Sequence, residues 1–276
     1  MPLPDGFSFS QSSLQDYLDC PRRFELKYIQ NLFYPALETE PALERERHML
    51  AGQRFHTLIQ QAFVGIPVDA LSRVVDAEIR PWWNAFLDAG WLEQLPLLRF
   101  SEYTLHASLN QFRLTATFDL ISIEPGEQAI ILDWKTIQHP PKTAIYRNRL
   151  QTRLYSLLLA LTGNHLNQGI PIDPDRIKMT YWFSNFPDRN MSFQYSQQQM
   201  KTDLLFFENL TTEIQKQNDG QFLLTTNEKL CAFCNYRSLC GRGTTAGDWN
   251  ANEEGAEEFG LNHLNIDLDQ IGEIVI

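Results

Sequence analysis

Two residues in the segment ILDWKT, Asp133 and Lys135, pair a carboxylate with an ammonium at a spacing of two. On a strand that spacing points both side chains to one side. Upstream, LTATFDLI ends a short apolar run on a second carboxylate, Asp119. Two carboxylates converging at neighbouring strand ends make an oxygen-rich site suited to Mg²⁺ or Mn²⁺. A metal held there can bind a phosphate oxygen and acidify a bound water, and an adjacent lysine can place that water or neutralise charge growing on phosphorus. By itself an Asp-x-Lys reads more readily as an ion pair on a sheet face.

Other residues give the pair company. The segment GQRFH sets His56 beside the apolar positions Phe55, Ile59 and Phe63 of a helical pattern, with Gly52 one turn earlier. A lone histidine there reads as a core residue, but an imidazole can also join a metal and makes Mn²⁺ acceptable. Missing a side chain, Gly52 permits close approach of another element. Gln151 and Tyr155 stand four apart on a later helix and so share a face. Arg147, Arg149 and Arg153 lie on or just before that helix with Lys142. They read either as a path for a nucleic-acid backbone or as a solvated helix face.

Cysteine usage points to a second centre. Cys231, Cys234 and Cys240 follow a C-x2-C-x5-C spacing, and Cys20 lies roughly 210 residues earlier. The opening MPLPDGFSFSQSS has neither a basic start nor an apolar run, so it does not read as a secretory signal, and a cytoplasmic protein is expected. No apolar stretch is long enough to span a bilayer, so no membrane association is expected. In that setting a CxxC suggests metal ligation rather than disulfides, and four thiolates suit Zn²⁺ as well as a cluster. After Cys20 come Arg22, Arg23, Phe24, Lys27 and Tyr28. Basic residues interleaved with aromatics suit a nucleic-acid strand, but inward packing of Phe24 and Tyr28 is the favoured reading.

These residues need elements to hold them. Helical signals cover about 10–19, 43–64, 69–89 (bent or restarted at Pro81), 143–161 and 196–217. Strand signals cover 97–109, 111–123, 128–137, 178–186 and 191–195, with turns at Asn110 and Glu124–Pro125–Gly126. The order predicts an α/β (α+β) fold with a central mixed sheet flanked by helices. From Thr244 onward there are eight acidic residues and no lysine or arginine, which reads as an acidic, weakly ordered tail. Two domains of organisation follow: a body over 1–243 and the tail over 244–276. The net charge of −11 disfavours nucleic acid, yet removing the tail leaves −3 for the body.

In this order, GxxxH, FD, DWK and QxxxY resemble the RecB-like family of the PD-(D/E)XK nuclease superfamily. The opening FSFSQSSLQDYLDCPRRFELKY and the closing CAFCNYRSLC are similar to the frame of members that carry an iron–sulfur cluster, such as AddB-type helicase–nucleases and CRISPR-associated RecB-like exonucleases. The resemblance covers about residues 8–242. It implies a restriction-endonuclease-like core closed by a cluster that joins the N- and C-terminal segments. It implies His56, Asp119 and Asp133 as metal ligands, with the Trp134 carbonyl as a further one. Lys135 would be the catalytic lysine, Gln151 and Tyr155 an accessory pair, and Glu102 a further acidic candidate. Cys20, Cys231, Cys234 and Cys240 would hold a [4Fe–4S] cluster. The implied activity is Mg²⁺- or Mn²⁺-dependent exonuclease action on DNA ends or single strands, in DNA repair, recombination or CRISPR-type processing. With no GxxxxGK[ST] in the chain, unwinding would fall to a helicase or another repair or CRISPR protein. The rival reading is a catalytically silent module that binds DNA or a partner. One departure stands out: the family often has Gly three residues before the first Asp, and this chain has Ala116.

Overall fold

A computed structural model describes residues 3–4, 6–32, 40–217, 222–232 and 234–243. The expected tail, 244–276, lies outside the described residues. In chain order the elements are β1 (Ser8–Phe9), α1 (Gln11–Asp19), α2 (Pro21–Phe24), α3 (Glu40–Phe63), α4 (Val68–Val74), α5 (Arg80–Asp88), α6 (Trp91–Gln94), β2 (Leu98–Leu109), β3 (Phe112–Glu124), β4 (Gln128–Lys135), α7 (Thr143–Asn148), α8 (Leu150–Thr162), β5 (Ile177–Phe183), β6 (Met191–Gln194) and α9 (Gln197–Lys216). The chain divides into two compact units, one of residues 1–49, 108–114 and 207–276, the other of 50–107 and 115–206.

The second unit is a mixed sheet flanked by helices, as the pattern predicts. β3 and β4 form an antiparallel hairpin, β4 and β5 run parallel, and β6 returns antiparallel to β5. β2 pairs with β3. Parallel neighbours need a covered crossover, and α7 and α8 supply it. Period-two alternation sends Leu120, Ile130, Leu132, Trp134 and Trp182 into a core shared with Phe55, Leu58, Ile59, Trp83 and Phe86. The odd-numbered face of β5 meets α7 and α8 instead. The Tyr146 ring lies 4.8 Å from that of Tyr181, and Thr152 Oγ1 is 2.8 Å from the Tyr181 hydroxyl. Among the described residues no helix is long and apolar enough to cross a membrane.

Three boundaries differ from the sequence pattern. The helix expected over 69–89 breaks at Val75–Ile79, where the Asp76 carboxylate accepts the N–H groups of Glu78 and Ile79 and starts a new helix. Pro81 then sits in a first turn, where its missing N–H costs nothing. The helix expected over 143–161 is interrupted at Arg149, whose ψ of 141° is extended. There the Thr152 hydroxyl donates to the Tyr146 carbonyl at 2.6 Å, occupying an acceptor that a continuous helix would use. β1 and the π-helical turn Glu25–Ile29 carry no signal in the pattern.

The first unit collects the chain's two ends. Ser10 caps α1 in a reciprocal capping box with Ser13. β1 runs parallel to the start of β3, pairing Ser8 with Arg113 and Phe9 with Leu114. Phe24 is fully buried and Tyr28 nearly so, packed with Phe7, Phe9, Tyr17 and Phe222, which settles the aromatics on the inward reading. The Arg22 N–H donates to Leu223 O at 3.1 Å, and the Tyr236 hydroxyl donates to Leu32 O at 2.8 Å.

Candidate active site

The site in the second unit forms where the β3–β4 hairpin stops being a ladder. Regular pairing runs from Glu124–Gln128 to Leu120–Leu132. The next inward donor, the Trp134 N–H, goes to the Asp119 carboxylate at 2.8 Å rather than to a β3 carbonyl. A side chain replaces a backbone acceptor, so the strand ends part and Asp119 is pinned in the gap. Phe118 turns toward α8, its ring 4.6 Å from that of Tyr155.

His56 enters from α3, with its Nδ1 3.5 Å from Asp119 Oδ2. Its neighbour Phe55 is fully buried in the core, and that fixes the helix's rotation. Gly52 allows the approach: a Cβ there would meet Thr136 Oγ1 at 3.1 Å. Glu102 enters from β2 with φ +49°, in the left-handed region that side chains seldom adopt. Ligand atoms of His56, Glu102 and Asp119 all lie within 4.8 Å of one another. One nitrogen and several carboxylate oxygens at that spacing fit Mg²⁺ or Mn²⁺, with the nitrogen favouring the latter.

Asp133 stands beside this trio. Lys135 Nζ is 2.6 Å from its Oδ2, and Gln151 Nε2 donates to its Oδ1. Tyr155, four residues along α8, turns to the backbone and donates to Thr117 O at 2.9 Å. Gln151 thus orients the acid while Tyr155 fixes α8 to β3 immediately before Asp119. The arginines separate. Arg153 turns to its own unit: its Nε is 2.6 Å from the fully buried Asp203 and its guanidinium lies 3.9 Å over the Phe206 ring. Arg149 lies over the Tyr146 ring at 4.2 Å, and the exposed Arg147 over Phe193 at 5.4 Å. The aromatic tip of Trp134 is core, stacked near Phe63 and edge-on to Phe86.

Charge crowding explains the proton affinities. Burial alone would push the His56 imidazolium down, but the Asp119 carboxylate, with Asp133 and Glu102, reverses this and raises it to about 9. Burial pushes Asp119 up, yet His56, Lys135 and the Trp134 N–H hold it below its ordinary range. Desolvation raises Glu102 to about 7, with the Asp119 charge adding to it and His56 opposing. Asp133 rises to about 6 through burial, against the pull of Lys135. Without metal, the His56 proton therefore compensates the carboxylates. A metal must displace such protons, so Mn²⁺ affinity is expected to strengthen from pH 6 to pH 8. The gain is up to about tenfold per pH unit for each proton released. Calorimetric titration across that range checks this, and an affinity independent of pH contradicts it.

The four cysteines lie in the first unit, with no disulfide among them. Cys20 closes α1 and opens α2, with Pro21 in the first turn. Cys231 ends the 3₁₀ turn Glu228–Cys231, and the Cys234 N–H donates back to its carbonyl at 3.1 Å. Burial raises the Cys234 thiol to about 11 against the opposing Arg23, with Cys20 and Cys231 adding to the rise. Burial also raises Cys231 and Cys240, and each feels the charge of Cys20 and of Arg242. Four thiols on the N- and C-terminal segments offer an all-sulfur donor set whose chemistry fits a thiolate-bound centre.

Comparison with known proteins follows the same lines. The sequence model of the PD-(D/E)XK nuclease superfamily matches residues 8–241. No curated protein matches the chain. The crystal structure of SSO0001 is similar with a TM-score of 0.40 and 13% identity, covering 86% of each chain. That of a candidate exonuclease from Eubacterium rectale gives 0.46 and 10%, covering 75% of this chain and 79% of its own.

Proposed function

Because this chain belongs to the PD-(D/E)XK nuclease superfamily, we propose that it is a RecB-like, metal-dependent nuclease that degrades DNA from ends or along single strands. The observation that carries the reading is the meeting of His56, Glu102 and Asp119 around one point, with the Asp133–Lys135–Gln151 chain beside it. His56, Asp119 and Asp133 would hold Mg²⁺ or Mn²⁺, with Glu102 and the Trp134 carbonyl as further ligands. Bound there, the metal would polarise a phosphate oxygen and lower the pKa of a water.

The chain's own groups do the rest. Asp119 is fixed by the Trp134 N–H and Asp133 by Gln151, so neither carboxylate must reorganise during reaction. Lys135 delivers a positive charge on the same side as Asp133, suited to holding the attacking water or the charge on phosphorus. In hydrolysis the water oxygen bonds to phosphorus, the bond to the leaving sugar oxygen breaks, and that oxygen takes up a proton. Tyr155 acts as a positioning residue through α8.

A [4Fe–4S] cluster on Cys20, Cys231, Cys234 and Cys240 is the favoured second centre. The one-plus-three spacing of the cysteines supports it, since structural zinc sites more often draw on two close pairs. The pathway proposed is DNA repair, recombination or CRISPR-type processing, with a helicase or another protein of that pathway supplying unwound DNA. A comparison of linear and covalently closed circular DNA with Mn²⁺ tests the exonuclease assignment. Loss of the linear form alone is expected, whereas equal loss of both makes the enzyme an endonuclease.

A further inference from the structure

We infer that Arg149 binds a DNA phosphate flanking the scissile one and so holds the strand across the metal site. The inference rests on the nuclease reading above and adds a substrate contact to it. Arg149 stands at the break between α7 and α8, two residues before Gln151, which donates to Asp133. Its guanidinium lies 4.2 Å over the Tyr146 ring, that ring is 4.8 Å from the Tyr181 ring, and Lys135 Nζ is 5.8 Å from the Tyr181 ring. Both tyrosines are fully buried. Two packed rings thus carry the two cations at a fixed spacing.

The charge of Arg149 is unmatched within the protein. The residue is half-buried, its Nε is shielded from water without a hydrogen-bond partner, and it forms no ion pair among the described residues. Arg153, one turn on, meets Asp203 instead. A half-buried guanidinium is costly without an anion. The Tyr146 face offsets part of that cost but carries no net charge. An anion from outside completes the balance, and the planar fork of a guanidinium suits phosphate oxygens. Strand order says where that phosphate lies. His56, Glu102 and Asp119 meet where β3 parts from β4, Asp133 and Lys135 end β4, and Tyr181 lies beside Asp133 on β5. A DNA strand with its scissile phosphate at the metal and Lys135 therefore reaches Arg149 with a phosphate further toward β5.

The test is single-turnover cleavage of an end-labelled oligothymidylate by the full chain with Mn²⁺, run at increasing protein and at several salt concentrations. Arg149→Gln is expected to raise the half-saturating protein concentration about tenfold, the scale of one lost charge-assisted contact. The maximal rate should change little, because the contact is made equally before and during reaction. The slope of log half-saturation against log salt should shrink by about 0.7, the value of one phosphate contact on a single strand. Arg149→Lys keeps the charge and should keep that slope. A folded Arg149→Gln with wild-type half-saturation and slope would overturn the inference. Weaker binding with an unchanged slope would overturn it too, since that marks a structural role. Should Arg149→Gln fail to fold, Arg149→Met, with an apolar chain to lie over Tyr146, carries the test. Wild-type protein that cleaves no DNA ends the nuclease reading and this inference with it.

Discussion

Lys135→Ala is expected to lower the rate of DNA cleavage by about 10²–10³-fold at saturating Mn²⁺, the range found when one preorganised charge-stabilising donor is removed. The expectation follows from where the lysine stands. Its Nζ is 2.6 Å from Asp133 Oδ2, at the parted end of the β3–β4 hairpin and on the face covered by α8. Removing it takes away the cation nearest the proposed phosphate position and leaves Asp133, itself 2% exposed, short of a partner. A metal ion can compensate that loss for folding but not for the missing cation. Binding and chemistry should therefore separate: calorimetry shows Mn²⁺ still bound, while single-turnover cleavage is slow. Lys135→Arg restores charge but not the compact ammonium, so it should recover only part of the rate. A Lys135→Ala rate within threefold of wild type removes the lysine from the mechanism.

The second large effect belongs to the cysteine frame. Cys234→Ser is expected to destabilise the protein by about 5 kcal/mol, the scale of a cross-link closing a very long loop. At about 2–4 °C per kcal/mol for a chain of this size, the melting temperature should fall by about 10–20 °C. The reason is local. In the cluster reading, Cys20 at the α1–α2 junction is tied to the segment 231–240. Direct hydrogen bonds also tie those segments, Arg22 to Leu223 and Tyr236 to Leu32 among them. Differential scanning fluorimetry of anaerobic wild type and variant measures the effect, with iron content read alongside. An unchanged melting temperature in a variant that has lost its metal means that the frame is not stapled by it.

Much of this site could be read from the chain, and the exceptions have physical causes. Asp133 and Lys135 were legible because a strand's period of two forces them to one side. Gln151 shares a face with Tyr155 as the helical spacing requires, yet the two diverge in partner, since Thr117 O lies within reach of one and Asp133 of the other. Such a choice depends on which strand end lies beneath, which local spacing does not encode. Glu102 was placed only by resemblance. Its entry depends on a left-handed φ in the middle of β2, and nothing about a glutamate in a strand announces that. The partner of Arg153 was hidden for a similar reason. A solvated arginine and one paired with a buried acid look alike until Asp203, fifty positions away, is brought to it. The mixed sheet itself was legible, because period-two runs and helical runs alternate along the chain. A restart at Pro81 was legible, but the Asp76 turn that precedes it and the break at Arg149 were not, because each is made by a side chain competing with the backbone for a hydrogen bond.

Cleavage of end-labelled single- and double-stranded DNA by the purified protein, with Mn²⁺ or with chelator, and with Asp133→Ala as the paired variant, tests the central claim most directly. Labelled product should appear only with wild-type protein and metal. Equal degradation by Asp133→Ala, or by wild type in excess chelator, would contradict a metal-dependent nuclease centred on Asp119, Asp133 and Lys135.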